Sequence, residues 1–166
     1  VSVHLGSEER CAAAAAELEE LGGKALGLPC DVRDIPALED AIAHFAADLG
    51  PVQNLVNNAA HDLRHTIDEL DVAYWDDRQA VNLRHHFFAA RAVAPMMRAT
   101  GGGSIINMGS ISAHIDLQDL VGYITAKAGI EGLTRTLARE LGPDRIRVNC
   151  VIPGWVMTSR QVRDWV

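Results

Sequence analysis

The sequence predicts one α/β domain in which helices cover both faces of a doubly wound parallel sheet. Short apolar segments alternate with long helical segments over the whole chain. The apolar segments are continuous in character, which is typical of parallel strands buried on both faces. With 166 residues and 48% hydrophobic content, the chain is long enough to form one such core. No internal repeat or low-complexity linker divides it, so residues 1–166 are expected to form a single domain.

The first half of the chain contains three predicted strands and two predicted helices. The strands are expected at 1–5, 24–32 and 52–60, and the helices at 7–23 and 36–50. Ser7 is the expected N-cap of the first helix, because its hydroxyl can accept a hydrogen bond from an unpaired backbone N–H. Pro36 stands in the first turn of the second helix, where its missing N–H breaks no helical bond.

The second half of the chain contains two longer helices and two further strands. The helices are expected at 72–99 and 120–141, and the strands at 101–110 and 146–154. Pro95 lies near the end of the first of these helices, and Gly142 with Pro143 ends the second.

The charge and composition exclude several classes of function. A net charge of -7 argues against nucleic acid or an anionic membrane as partner. No apolar run has the length of a membrane span and no signal peptide is visible at the start, so a cytoplasmic location is expected. The odd number of widely spaced cysteines indicates reduced structural thiols at Cys11, Cys30 and Cys150.

One short segment, "GYITAKAGIEG", carries a tyrosine and a lysine four residues apart, Tyr123 and Lys127. On a helix this spacing places both side chains on the same face. An ammonium near a phenol stabilises the phenolate and lowers the tyrosine pKa, so the pair could act as an acid/base. Taken alone, the pair would more often be two surface residues of an amphipathic helix.

Small and polar residues follow the predicted strands at the points where these end. Because the carboxyl ends of parallel strands meet at one edge, where such sheets bind ligands, these residues should form a single rim. They are Asp31, Asn57, Asn58, Ser110, Pro153 and Gly154.

The order and spacing of five motifs resemble those of the short-chain dehydrogenase/reductase family. The motifs are "NNAA" at 57–60, Asn82 in "VNLRHHF", Ser110 in "INMGSIS", Tyr123 with Lys127, and "PGWVMT" at 153–158. The resemblance implies a Rossmann-like three-layer α/β/α fold that is incomplete at both ends. The first strand with its glycine-rich turn and the final family segment have no counterpart, so we expect this to be part of a longer chain.

The same resemblance implies an oxidoreductase that moves a hydride between a nicotinamide and a hydroxyl or carbonyl carbon. Tyr123 would be the acid/base, and Lys127 would lower its pKa and bind the nicotinamide ribose. Ser110 would hold the reacting oxygen, and Asn82 would anchor a water chain leading to the lysine. Ser112 is expected to point away from Ser110 on an extended segment, as a bystander.

The cofactor implied by the resemblance is NAD or NADP. Asp31 and Val32 match the adenine contacts, and the loop of Asn58, Ala59 and Ala60 matches the adenosine ribose contacts. The carboxamide segment is matched by Pro153, Gly154, Val156 and Thr158. Gly6 and Ser7 occupy the position that discriminates between the two dinucleotides. A serine there, with Arg10 one turn later, favours NADP without deciding the choice.

A narrower resemblance points to bacterial aldose 1-dehydrogenases acting on sugars such as D-xylose or L-arabinose. The candidates for substrate recognition are His65, Ser112, His114 and Trp155. Trp165 could supply a further apolar wall. Ala113 stands where most of that branch has tryptophan, so the identity of the sugar stays open. The paired histidines at 61 and 65 and at 85 and 86 lack further ligands at metal-binding spacing, so no metal site is expected.

Two other functions remain open at this point. One is a ketoreductase acting on acyl or small carbonyl substrates, which would use the same catalytic residues. The other is a cofactor-sensing or scaffolding protein without catalysis, although such a protein needs no activated phenol. Family members assemble through the helices matching 72–99 and 120–141, so a homodimer or homotetramer is expected as well.

Overall fold

The computed structural model describes residues 2–4 and 7–165. Its strands are β1 (Ser2–His4), β2 (Gly27–Pro29), β3 (Asn54–Asn57), β4 (Gly103–Met108) and β5 (Ile146–Val151). Its helices are α1 (Glu8–Glu19), α2 (Ile35–Leu49), α3 (Val72–Gln79), α4 (His85–Ala99), α5 (Val121–Leu141) and α6 (Ser159–Trp165). The strands β1 to β5 and the helices α1 to α5 follow the predicted order, and the strands are shorter than predicted.

All strand pairs in the described residues are parallel. β1 pairs with β2 over three residues, and β3, β4 and β5 form a three-stranded sheet with β4 in the centre. The β4–β5 pairing runs over six residues, from Gly103 opposite Ile146 to Met108 opposite Val151. The parallel register brings the carboxyl ends of β3, β4 and β5 to one edge, as the sequence predicts.

The hydrophobic core lies between the three-stranded sheet and the helices α2, α4 and α5. Helix α4 contacts both α2 and α5 and lies over β3, β4 and β5. Phe45, Val93, Met97, Ile105 and Ile146 are at most 2% exposed at the centre of this cluster. The core is mainly aliphatic, as expected for the predicted α/β packing. Its packing holds the strands that carry the site.

Helix α1 packs separately, against β1 and β2. Ser7 caps it as predicted, accepting a hydrogen bond from the Arg10 backbone N–H at 3.4 Å. Gly27 allows the close approach of β2, because a Cβ at this position would overlap the carbonyl of Cys11. Within the described residues, no helix is long and apolar enough to cross a membrane.

The predicted helix 72–99 is not regular throughout. A π-helical turn, Ala80–Arg84, separates α3 from α4. The side-chain amide of Asn82 donates to the Arg78 carbonyl at 3.0 Å, which is the acceptor that the Asn82 backbone N–H would use in an α-helix. Asn82 is fully buried, and its side chain competes for a carbonyl of the helix backbone beside the irregular turn.

Candidate active site

A cleft of about 340 Å³ opens at the carboxyl edge of β4 and β5. Its walls come from the segment after β3, the turn after β4, the start of α5 and the segment after β5. It brings together eight residues predicted from sequence, which are Ser110, Ser112, Tyr123, Pro153, Gly154, Trp155, Val156 and Thr158. The segment after β5 is tied to the β4 turn by backbone bonds from Gly109 to Val151 and from Ile111 to Pro153.

The Tyr123–Lys127 pair lies on one face of α5, as its spacing predicts. Lys127 is 2% exposed, and its Nζ lies 5.5 Å from the centre of the Tyr123 ring. The ammonium donates to the Met108 carbonyl at the end of β4, at 2.7 Å. Burial lowers the pKa of Lys127 to about 8, and the charges of Cys150 and Asp62 oppose that shift. A cation is thus held beneath the phenol that faces the cleft.

Ser110 and Ser112 correct one prediction from the sequence. Residues Ile111–Ala113 form a 3₁₀ turn, which folds the buried Ser112 back onto Ser110. Ser110 Oγ accepts hydrogen bonds from the Ser112 backbone N–H at 3.1 Å and from the Ser112 hydroxyl at 2.8 Å. The expectation that Ser112 points away on an extended segment is therefore wrong, because that segment turns immediately after Ser110.

Asn82 holds the backbone of the segment after β3. Its Oδ1 accepts from the His61 N–H at 2.7 Å, and its Nδ2 donates to the His61 carbonyl at 3.1 Å. This pair of bonds anchors one end of the Asn58–Ala60 loop, which was predicted to contact the cofactor. Asn58 and Ala60 are exposed and Ala59 is half-buried.

A buried polar chain inside the sheet was not predicted. Asn57 donates to the side chain of Asn107 at 2.9 Å, and Asn107 donates to the Thr134 hydroxyl on α5 at 3.0 Å. Thr134 in turn donates to the Ile130 carbonyl at 2.7 Å. These bonds tie β3, β4 and α5 together below the cleft. The signal in the sequence was an asparagine within the otherwise apolar "IINM" segment of the strand.

The predicted adenosine side contains an ion-pair network. The Arg33 guanidinium binds the Asp31 carboxylate, with 2.6 Å between Nη2 and Oδ2. Its Nη1 lies 2.7 Å from Oδ1 of Asp77 on α3. The hydrogen bonds from Arg33 lower the pKa of Asp31. Val32 beside it is buried, and Ser7 lies exposed at the start of α1. Gly6 lies outside the described residues.

The candidate substrate residues have different outcomes. Trp155 lines the cleft and is 59% exposed, as a wall residue should be. His65 does not line it: its Nδ1 faces the Leu63 carbonyl, and its Nε2 accepts from the Gly122 N–H at 3.2 Å. His114 lies outside the cleft and pairs with Glu131 at 2.7 Å. The structure therefore corrects both histidine predictions. The side chain of Trp165 lies outside the described residues.

Two charged residues of the cleft were missed by the sequence analysis. Asp62 and Arg64 line it from the segment after β3, and Gln161 lines it from α6. Both charged residues lie within four residues after the "NNAA" motif, so the motif could have drawn attention to them. No group of three metal-ligating side chains is found in the part of the chain that the structure describes.

A parallel sheet whose carboxyl edge combines a serine, a tyrosine and a buried lysine is the arrangement that the sequence resemblance implies. The model of the short chain dehydrogenase family matches residues 1–165, and the chain belongs to this family.

Two similar proteins have names that state a sugar dehydrogenase activity. A D-xylose 1-dehydrogenase from Caulobacter vibrioides is 57% identical over 132 residues, covering 80% of this chain and 52% of that protein. A Rhizobium meliloti protein named "Probable galactose dehydrogenase GalD" is 47% identical over 139 residues, covering 84% of this chain and 54% of that protein. The chain thus spans about half the length of these curated relatives.

A solved structure supports the fold. A gluconate 5-dehydrogenase from Burkholderia cenocepacia J2315, in complex with NADP and tartrate, matches with a TM-score of 0.86 and 30% sequence identity. The match covers 96% of this chain and 64% of that one. The doubly wound Rossmann-like fold predicted from the sequence is confirmed.

Proposed function

We propose that this chain carries the catalytic part of an NAD(P)-dependent oxidoreductase that oxidises an aldose at C1. The observation that carries the proposal is the arrangement at the cleft. Ser110 and Tyr123 line one cavity, and the Lys127 ammonium is buried 5.5 Å from the centre of the tyrosine ring. A protein that only binds a cofactor has no use for a cation desolvated in this way beside a phenol.

The residues present fit a nicotinamide dinucleotide. The Lys127 ammonium makes one hydrogen bond, to Met108, among the described residues, so two of its three donors remain for a ribose hydroxyl. The 153–158 segment and the Asn58–Ala60 loop lie at the same edge of the sheet. When bound, the nicotinamide supplies or accepts the hydride.

Tyr123 would take the proton of the substrate hydroxyl during oxidation and return it during reduction. The Lys127 ammonium stabilises the phenolate form by its charge, across a region from which water is excluded. Since burial brings the Lys127 pKa to about 8, the cation persists at neutral pH and is lost at higher pH.

Ser110 would hold the reacting oxygen. With the Ser112 N–H and the Ser112 hydroxyl donating to its Oγ, its own proton would donate to the substrate oxygen. A donor fixed in this way stabilises negative charge that develops on the substrate oxygen. We infer that Ser112 sets the direction of the Ser110 hydroxyl.

The remaining walls support a sugar as the substrate. Trp155 offers an apolar surface for the C–H face of a sugar ring, while Asp62, Arg64 and Gln161 offer donors and acceptors for hydroxyl groups. The two relatives described above carry the names of aldose dehydrogenases. A cleft for a long acyl chain would need fewer charged groups on its walls.

A substrate and cofactor panel tests the proposal. The purified protein is mixed with NAD or NADP and with a set of pentoses and hexoses, and the absorbance of the reduced nicotinamide is followed. The reverse reaction is measured with ketones and acyl carbonyl compounds. We expect turnover with at least one aldose, and none with the Tyr123→Phe variant.

The outcomes separate the three candidate functions. Turnover of ketones without any aldose would replace the aldose assignment by a ketoreductase. Binding of a dinucleotide without turnover of any compound would favour a cofactor-sensing protein. The ratio of turnover with NAD to that with NADP, compared between wild type and Ser7→Ala, measures whether Ser7 contributes to the choice of dinucleotide.

A further inference from the structure

The loop predicted to contact the cofactor is held from below at two places. At one end, Asn82 bonds both backbone groups of His61. In the middle, the Nε2 of His85 lies 3.0 Å from the carbonyl oxygen of Ala59. Asn82 lies in the π-helical turn and His85 is the first residue of α4, directly after that turn, so two side chains three residues apart hold the loop. The carbonyl of Ala59 is thereby turned inward, away from the exposed side of the loop.

The imidazole of His85 is a neutral donor in this position. A carbonyl oxygen only accepts, so the hydrogen bond to Ala59 requires the tautomer that carries its proton on Nε2. His85 is 2% exposed, and burial lowers its pKa to about 4, with the positive charge of Lys127 acting in the same direction. The backbone contacts to Ala59 and Val81 favour the charged ring but are outweighed. At neutral pH the hydrogen bond to Ala59 therefore involves no charge.

His86 provides an internal comparison. Its ring lies against that of His85, with 4.2 Å between the ring centres, and is fully buried. It lies near the Asn57 backbone, but neither ring nitrogen has a partner at hydrogen-bonding geometry in the described part of the chain. The two neighbouring histidines thus share burial and chemistry, and among the side-chain hydrogen bonds of the described residues the bond to the loop is made by His85 alone.

We propose that His85 is a positioning residue for the dinucleotide, because its Nε2–H fixes the Ala59 carbonyl and so the Asn58–Ala60 loop against which the adenosine ribose would lie. This inference rests on the proposed function for the identity of the ligand. Without the donor, the Ala59 carbonyl would lose its buried partner and the loop would reorganise to reach water. We expect the affinity for the cofactor to fall and the chemical step to be unaffected, because Tyr123 and Ser110 lie on other elements.

Four variants test the proposal. His85→Leu removes the donor at similar volume, and His85→Gln keeps an N–H donor at nearly the same reach. His85→Asn keeps a polar amide that is too short to reach Ala59. His86→Leu is the matched control for burial. Binding of reduced dinucleotide is titrated by its fluorescence, hydrogen exchange is measured for the amides of residues 58–61, and KM and kcat are determined separately.

We expect His85→Leu and His85→Asn to weaken dinucleotide binding about tenfold, the usual effect of one buried hydrogen bond. Their loop amides should exchange faster, and kcat should change by less than about twofold. His85→Gln and His86→Leu should bind within about twofold of wild type. Should His85→Leu fail to fold, the difference in dinucleotide affinity between His85→Gln and His85→Asn still tests the proposal.

Equal binding by wild type and His85→Asn would overturn the proposal, and so would equal weakening by His86→Leu. A wild-type protein that binds no dinucleotide would instead refute the proposed function. In that case the exchange rates of the loop amides remain decisive for His85, because unchanged rates in His85→Asn would show that the bond does not hold the loop.

Discussion

The two sheets of this molecule are held together by different means. β3, β4 and β5 pair over four to six residues beneath three packed helices, with Ile105 and Val93 fully buried. β1 and β2 pair over only three residues, and of the helix that packs on them only Cys11 is buried. Apolar packing therefore fixes β3, β4 and β5 with the helices α2, α4 and α5, and we call these elements the rigid region. β1, β2 and α1 depend on local contacts instead.

The same contrast separates the two halves of the candidate site. Tyr123 and Lys127 project from a helix that is packed along its length, and a buried chain through Asn107 ties that helix to the sheet. Asp31, on the adenosine side, is oriented by the half-exposed Arg33. The difference indicates that the predicted acid/base pair rests on rigid packing, while Asp31 on the predicted adenosine side rests on adjustable polar contacts.

The largest effect is expected from Tyr123→Phe, which removes the proton acceptor and leaves the packing of α5 intact. We expect kcat to fall about a thousandfold, with the midpoint of thermal unfolding nearly unchanged. Steady-state kinetics and a thermal melt of the same preparation check this. A variant with substantial activity would remove Tyr123 from the mechanism, whereas a large loss of stability would show that the rigid region depends on the phenol itself.

Lys127→Met should affect both activity and the pH dependence of stability. We expect kcat to fall about a hundredfold, as the phenolate loses its neighbouring cation. In the wild type, burial brings the lysine pKa from 10.5 to about 8, so between these pH values the unfolded chain binds more protons than the native one. The free energy of unfolding of the wild type should therefore rise by up to about 3 kcal/mol relative to Lys127→Met across that interval.

Urea unfolding of both proteins at pH 7.5, 9 and 10.5 measures this difference. Lys24→Met serves as the control, because Lys24 is exposed and follows α1, far along the chain from the site. A difference that stays constant with pH would mean that the ammonium of Lys127 is well solvated. The rigid region would then not exclude water from its catalytic cation.

The sequence predicts the rigid region well because its determinants are local. Continuous apolar strands, a Tyr–Lys pair one helical turn apart and a glycine–proline stop after α5 can each be recognised within a few residues. What the sequence did not predict depends on partners far along the chain. His65 is buried because its ring meets the Gly122 N–H, 57 residues away. Asn107 similarly becomes part of a network only when β3 and α5 are beside it.

Two local details were missed for another reason. Ser112 lies two residues from Ser110, but its direction depends on whether the chain extends or turns, and the 3₁₀ turn is set by bonds to the segment after β5. The π-helical turn at Ala80–Arg84 has no signal in hydrophobic periodicity, and the bond from the Asn82 side chain to the Arg78 carbonyl beside it is visible only in the structure. Backbone irregularities of this kind require the contacts themselves.

The smallest effect is expected from Arg33→Leu, on the adenosine side. Arg33 and Asp31 are 44% and 40% exposed, so solvent screens their attraction, and the free energy of unfolding should change by less than about 1 kcal/mol. Asp31 would lose the group that orients it, and the KM for the dinucleotide should rise roughly two- to fivefold with kcat unchanged.

Arg91→Leu is a matched control, because Arg91 forms a similarly exposed pair with Glu39 away from the cleft. Urea unfolding and dinucleotide titration of both variants check these values. A tenfold loss of kcat in Arg33→Leu alone would show that the Arg33–Asp31 pair is coupled to the rigid region. A solvent-screened surface pair could not otherwise affect the rate of the chemical step.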